Sequence, residues 1–161
     1  MKNKMTEKLF ELAYTDSMTE VQNRNAYEER LKKLRKPNAN ISHITVIVVD
    51  VNGLKEINDS YGHFCGDDAI KTVAKALTDT LGTKANIFRI GGDEFVCIFE
   101  SNVLPYISQF KDAISFIDRE KLYKLAVSIG YSKYHEKYTK SIDDIICRAD
   151  EKMYKAKKDK K

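Results

Sequence analysis

Arg89-Ile90-Gly91-Gly92-Asp93-Glu94-Phe95 sets two adjacent carboxylates directly after two glycines, with apolar runs on either side. A second acidic stretch begins at Asp50, which ends the β-branched run Ile44-Thr45-Val46-Ile47-Val48-Val49 and leads into Val51-Asn52-Gly53-Leu54-Lys55-Glu56-Ile57-Asn58-Asp59. An ionised aspartate at the rim of a buried strand needs a partner or a cation. If that strand pairs with the glycine hairpin, Asp50 faces Asp93, and like charges that close are unfavourable without a counterion. A divalent metal resolves the conflict. Mg²⁺ suits the task, with Mn²⁺ as the alternative, because it takes oxygen ligands, uses few carboxylates and completes its shell with water and phosphate. That chemistry is phosphoryl chemistry. Taken alone, the Gly-Gly-Asp turn also reads as ordinary solvated hairpin.

The elements that must position these acids can be read from periodicity. Adjacent glycines predict a tight turn whose two central residues take positive φ. Ala85–Arg89 and Phe95–Phe99 are its strands, and the second is apolar on both faces, as a covered central strand is. Ile41–Val49 reads as another strand. A short helix is expected near Leu54–Ser60, then a long one with Ile70, Val73, Ala74, Leu77 and Leu81 at helical spacing, ended by Gly82. A helix over Pro105–Phe116 and a strand within Leu125–Tyr134 follow. Ser141 with Asp144 is a capping box opening a last helix with the stripe Ile142, Ile145, Ile146, Ala149 and Met153. Near the start, Asn23 reads as the N-cap of a helix whose apolar side is Tyr27, Leu31 and Leu34, ending before Pro37. Lys2–Ala13 carries a helical stripe of Met5, Leu9, Phe10, Leu12 and Ala13 with no body to cover it. Helices and strands around an antiparallel hairpin suggest an α+β two-layer sandwich.

The chain has 161 residues, 42% of them hydrophobic, enough for the core of one domain. No apolar run approaches the length of a transmembrane helix and none follows the lysine-rich start as in a signal peptide, so the chain reads as cytoplasmic. Cys65, Cys97 and Cys147 are odd in number and lack Cys-x-x-Cys spacing, which predicts reduced, mostly packed thiols. Much of the net charge of +4 sits in Lys152, Lys155, Lys157, Lys158, Lys160 and Lys161. Cations at a helix C-terminus complement its dipole, and without interleaved aromatics they do not point to nucleic acid. There is no Gly-x₄-Gly-Lys-Ser/Thr loop, no Gly-x-Gly-x-x-Gly and no His-Glu-x-x-His. A calcium loop starting at Asp50 fails at Leu54 and Lys55. His63 could titrate as a base, but beside the Gly62 turn it reads as structural.

Arg89-Ile90-Gly91-Gly92-Asp93-Glu94-Phe95, with Asp50-x-Asn52-Gly53-Leu54-Lys55-x-x-Asn58-Asp59-x-x-Gly62-His63-x-x-Gly66-Asp67 upstream, resembles the GGDEF family of diguanylate cyclases. Asp16-Ser17-Met18-Thr19-Glu20-Val21-Gln22-Asn23-Arg24, Ser128-Ile129-Gly130 and Ala149-Asp150-x-x-Met153-Tyr154-x-Ala156-Lys157 fall in family order. The resemblance implies a ferredoxin-like palm, a central, mainly antiparallel sheet flanked by helices, similar to nucleotidyl cyclases. It implies condensation of two GTP molecules into cyclic di-GMP by a homodimer, each domain holding one substrate. By resemblance Asp50, the Val51 carbonyl and Asp93 bind metal, and Glu94 assists at the metal or in deprotonating the hydroxyl. Backbone around Gly53, Leu54, Lys55, Gly91 and Gly92 meets phosphate, Lys157 supplies charge to the β/γ-phosphates, and Asn58 and Asp67 read guanine. Residues 1–14 read as a linker helix from an upstream sensor domain and 15–161 as the cyclase domain, with no direct membrane insertion of this segment. The alternative is a catalytically weak or inactive GTP-binding regulatory module.

Three positions depart from the family pattern. Glu20 stands where glycine is usual, which could displace its loop; Leu54 stands where phenylalanine is common; and Lys161 is the last residue where a phosphate-binding arginine is expected. The Arg-x-x-Asp positions of the family's product-inhibition site are Gly82 and Ala85, so no feedback inhibition is expected there, because an anionic dinucleotide needs the guanidinium fork.

Overall fold

Val46 and Val48 point to one side of a strand while Ile47, Val49 and Val51 point to the other, and all are buried. Such a strand must be covered on both faces. In this computed structural model, which describes residues 4–100 and 104–159, it is. The elements in order are α1 (Lys4–Tyr14), α2 (Arg24–Leu34), β1 (Thr45–Val51), α3 (Leu54–Tyr61), α4 (His63–Leu81), β2 (Ala85–Arg89), β3 (Glu94–Phe99), α5 (Leu104–Asp118), β4 (Val127–Lys133) and α6 (Ile142–Lys158). The strands form one sheet in the order β2-β3-β1-β4, every neighbour antiparallel. With α3 and α4 between β1 and β2, and α5 between β3 and β4, this is the split βαβ arrangement of a ferredoxin-like palm.

The sheet is covered on both faces rather than one, so the two-layer expectation gains a third layer. Ile47, Val49, Phe95, Cys97 and Phe99 pack with Val73 and Leu77 of α4 and Phe110 and Ile114 of α5. On the other face Val46, Val48, Val96 and Ile98 meet Tyr27 and Leu31 of α2 and Ile145, Ala149 and Met153 of α6. β1 starts later than the pattern suggested and runs through Asp50 to Val51, leaving Ile41 and Ile44 outside it. The caps are as expected: Asn23 accepts from the Ala26 N–H at 3.1 Å, and Ser141 and Asp144 form the capping box of α6.

Close approach rather than turn geometry explains Gly130. A Cβ there would lie 2.0 Å from the Ala149 carbonyl oxygen and 2.2 Å from the Met153 nitrogen, so the backbone of α6 rests directly on β4. That contact fixes where the last turn of α6 meets the end of β1.

Leu9, Phe10 and Leu12 of α1 are exposed, as the uncovered stripe implied, and Phe10 stacks on Tyr14 at 4.6 Å. Cys97 is buried and Cys65 partly so, as mostly packed thiols should be, while Cys147 is exposed. His63 is an exposed first residue of α4. Gly82 closes α4 and Ala85 opens β2. No described helix is long and apolar enough to cross a membrane. Lys160 and Lys161 lie outside the described residues.

Candidate active site

Asp50 is the least ordinary residue of the sheet. It belongs to the strand that crosses the core, and only 3% of its surface is exposed. In the register of β1 with β3 it stands opposite Glu94, not Asp93 as the hairpin pattern suggested. Asp93 lies one residue further out, in the turn, where its carbonyl accepts from the Val51 N–H at 2.9 Å. Residues paired across antiparallel strands share a face, so Asp50 and Glu94 both look toward α6. Burial, first of all, lifts the Asp50 carboxyl above the ordinary range; Asp93 adds to this and Lys157 opposes it. Glu94 is raised too, by burial and then by Asp93, Asp50 and Asp150.

Among the described residues, one cation is paired with these acids. Lys157, in the last turn of α6, puts Nζ 2.9 Å from Oδ2 of Asp50 in a hydrogen bond and 2.8 Å from Oδ1. The second contact is an ion pair without hydrogen-bond geometry: Asp50 Oδ1 is buried and no donor is directed at it. An orphaned, buried carboxylate oxygen amid like charges fits a divalent cation. Among the described residues no three His, Cys, Asp or Glu side chains converge into a complete metal cage. The expected set, two carboxylates and the Val51 carbonyl, would leave positions for water and phosphate.

The glycine turn is built differently from the expectation. Neither Gly91 nor Gly92 has positive φ. The Ile90 N–H bonds the Glu94 carbonyl at 3.0 Å, and a Cβ on Gly91 would come within 3.0 Å of Glu94 Oε2, so Gly91 leaves room for the glutamate rather than supplying a rare backbone angle. Arg89 braces the turn, which residue types alone did not reveal. Its Nη2 donates to the Gly92 carbonyl at 2.9 Å and its Nη1 to Asp16 at 3.0 Å. Asp16 organises the loop before α2, accepting also from the Thr19 hydroxyl at 2.6 Å and the Thr19 N–H at 3.0 Å. Glu20 in this loop takes φ 62, the conformation that favours glycine, so the loop keeps its closed turn with a charged side chain in it.

Beside the acids, the chain leaves β1 through Asn52, whose Oδ1 accepts from Ser128 at 2.8 Å and whose N–H bonds the Ala126 carbonyl at 2.8 Å. Gly53 follows at φ 67 and opens α3 without a side-chain cap, so the first amides of the helix, at Leu54 and Lys55, are available to an anion. Leu54 is half-buried against the core; Gly53 and Lys55 are exposed. Asn58 and Asp67, both half-buried, come from successive helices. A Cβ on Gly66 would fall 1.9 Å from Asn58 Oδ1, so this glycine lets the asparagine lie on the first turns of α4, beside Asp67 in sequence. Gly62, at φ 86 and ψ 162, makes the sharp joint between the helices. Asp68 locks α4 to the loop before β4 by accepting from Lys121 and the Tyr123 hydroxyl. Asp50, Glu94 and Lys157 are thus in mutual contact or register, Asp93 flanks them, and Asn58 and Asp67 stand on the two helices either side of the Gly62 joint.

Residues 13–161 match the family model described as "Diguanylate cyclase, GGDEF domain". Among curated relatives, the chain is 30% identical over 152 residues to the probable diguanylate cyclase DgcI of Escherichia coli, covering 93% of this chain and 32% of that protein. It is 31% identical over 169 residues to a diguanylate cyclase of Vibrio cholerae, covering 96% of this chain and 50% of that protein. The chain spans a third to a half of the length of these relatives. Among solved structures, the coiled coil and GGDEF domain of DgcB from Caulobacter crescentus in complex with c-di-GMP shares the fold at a TM-score of 0.81 and 23% identity, over 97% of this chain and 86% of that one. The FimX GGDEF domain of Pseudomonas aeruginosa does so at 0.77 and 16%, over 91% and 94%.

Proposed function

The chain belongs to the GGDEF-domain diguanylate cyclase family, and on that premise we propose that it condenses two GTP molecules into cyclic di-GMP, releasing two pyrophosphates. The observation that carries the reading is Asp50: a carboxylate 3% exposed, crowded by Asp93 and Glu94, with one oxygen lacking a hydrogen bond.

Each ribose 3′-hydroxyl attacks the α-phosphate of the other nucleotide, so catalysis is positioning and charge management. Asp50, the Val51 carbonyl and Asp93 would hold Mg²⁺, or Mn²⁺ in its place. When bound, such an ion supplies positive charge at the reacting phosphate and acidifies the attacking hydroxyl. Glu94, whose carboxyl is raised by burial and its acidic neighbours, is suited to take that hydroxyl's proton. Gly53 permits close backbone approach, and the amides of Leu54 and Lys55, with those of Gly91 and Gly92, donate to phosphate oxygens. Lys157 adds a point charge at the β/γ-phosphates. Asp67 accepts from guanine N1–H and N2–H₂, a donor pair adenine lacks, and Asn58 completes the edge.

One domain holds one nucleotide, so two copies must face each other and product formation rises faster than linearly with protein concentration. GTP is the substrate, a second copy the partner, and an upstream sensor domain the expected source of regulation.

The test is chromatographic analysis after incubating about 50 μM protein, well above the Kd of a weak dimer, with GTP and Mg²⁺. Cyclic di-GMP that vanishes in Asp50→Ala and Asp93→Ala is the expected result. GTP bound in calorimetry without product would instead make the chain a GTP-binding regulatory module.

A further inference from the structure

Lys157 cannot stand in two places. Its ammonium lies 2.8 and 2.9 Å from the two oxygens of Asp50, hydrogen-bonded to Oδ2 alone and filling the space beside the carboxylate that a cation would need. We propose that Lys157 is a latch: it neutralises Asp50 while the site is empty of metal, and must leave that carboxylate for the metal to enter, which frees its charge for the nucleotide phosphates. This rests on the reading of Asp50 as a metal ligand given above.

Three features make the lysine the moving partner. The Asp50 side chain is 5% exposed and fixed near the end of a strand paired on both sides, whereas that of Lys157 is 35% exposed, with solvent to swing into. Lys157 belongs to the last turn of its helix, which closes at Asp159, where the backbone is least held. The contact with Oδ1 is an ion pair without a directed hydrogen bond, so a second cation gains an oxygen that the lysine does not saturate. The position of the latch is set from a distance, because the contact of Gly130 with Ala149 and Met153 fixes how α6 lies on β4.

The consequence is a coupling. Metal alone must expel an ammonium from a buried carboxylate, whereas metal arriving with a nucleotide offers that ammonium a new anion. A site with the latch removed therefore takes a bare divalent ion more readily, although it holds the nucleotide less well.

The experiment titrates Mn²⁺ into the protein without nucleotide and reads free ion by electron paramagnetic resonance. Lys157→Met is expected to bind Mn²⁺ at least tenfold more tightly than the unaltered protein, and Lys157→Arg, which keeps the charge, to bind it no more tightly. Should Lys157→Met fail to fold, Lys157→Gln removes the charge while keeping a donor for Asp50, with the same expected gain. Equal or weaker Mn²⁺ binding by the folded, uncharged variant overturns the latch. Asp50→Asn in the Lys157→Met background separates the two ideas. If it abolishes Mn²⁺ binding that Lys157→Met had not tightened, the metal ligand stands and the latch falls. If it leaves Mn²⁺ binding intact, the reading of Asp50 itself falls, and the latch with it.

Discussion

The first half and the last turn of α6 each present a cation to the sheet, and the two are built on opposite principles. In the first half, Arg148 donates from Nε to the Ser132 hydroxyl at 3.2 Å, from Nη1 to the Tyr138 carbonyl at 3.0 Å, and from Nη2 to the Thr139 hydroxyl at 2.7 Å and the Lys133 carbonyl at 3.3 Å. Every nitrogen of the guanidinium is used, every acceptor is neutral, and the result ties the helix to the end of β4. In the last turn Lys157 faces Asp50, with Asp93, Glu94 and Asp150 close enough to act on the same charges. There, among the described residues, the acids outnumber the base, and Asp50 and Glu94 are both raised by burial and by Asp93. Arg148 holds the fold together with its donors filled by neutral groups. Lys157 stands in a surplus of negative charge and leaves work for a ligand.

The largest effect should come from relieving that surplus. Asp93→Asn is expected to lower cyclic di-GMP formation by at least about 10³-fold, because a developing charge loses several kcal/mol of stabilisation. Its metal-free melting temperature should stay level or rise, since Asp93 acts repulsively on both Asp50 and Glu94. Product chromatography and thermal melts in chelator check the two halves. A melt that fell sharply would mean that Asp93 holds the fold, and the contrast between the two cations would collapse.

Gly130→Ala strikes both cations at once. With backbone atoms 2.0 and 2.2 Å from the new methyl group, α6 must lift from β4. A cost of about 3 kcal/mol is expected for overpacking of this kind, which lowers the melting temperature by about 10 °C in a domain of this size. GTP affinity should fall as well, because Lys157 moves with the helix. Calorimetric melts and GTP titrations would sharpen the comparison if only one of the two changed.

Arg148→Met isolates the satisfied cation. It leaves the buried Ser132 hydroxyl and two carbonyls short of a donor, which costs about 2 kcal/mol, readable in denaturant unfolding, while the Thr139 hydroxyl keeps the His135 N–H. GTP binding should stay within error of the unaltered protein. A loss of binding would mean that the two cations communicate through more than helix position.

Much of this contrast was legible in residue order, but not its geometry. The β-branched run ending in Asp50 announced a buried strand with a charge at its rim, and the capping box at Ser141 announced α6. The sequence offset between Asp93 and Asp50 could not show which acid stands opposite which, because register depends on the turn, and that turn uses four residues with no positive φ at Gly91 or Gly92. Gly66 and Gly130 stood in the motif blocks without a structural reason, and they are close-approach residues, against Asn58 and α6, since a missing Cβ serves a turn or a close approach and only the partner element decides. The pairing of Lys157 with Asp50 joins residues 107 apart and leaves no local signal. The same holds for Arg89 with Asp16, whose loop carries Glu20 where backbone geometry favours glycine.

That last pair supplies the smallest test, because it is a paired charge beside the acidic turn. Burial alone would raise the Asp16 carboxyl; the Thr19 hydroxyl, the Arg89 guanidinium and the Thr19 N–H together outweigh it and hold the carboxyl below its ordinary value of 3.8. An acid whose folded value is depressed stabilises the fold fully above the unfolded value and loses that contribution as pH falls through the folded one. Asp16→Asn keeps an acceptor for Thr19 but removes the charge, so it should cost about 1 kcal/mol at pH 7. Well below the ordinary carboxyl value the difference should shrink toward zero, as the pH falls through the depressed folded one and the native carboxyl is itself protonated. Urea unfolding of both proteins at pH 7 and in acid measures it. A difference that persisted in acid would make the pair a contact of shape. Arg89, whose other amine holds the Gly92 carbonyl, would then brace the acidic turn without drawing on its charge.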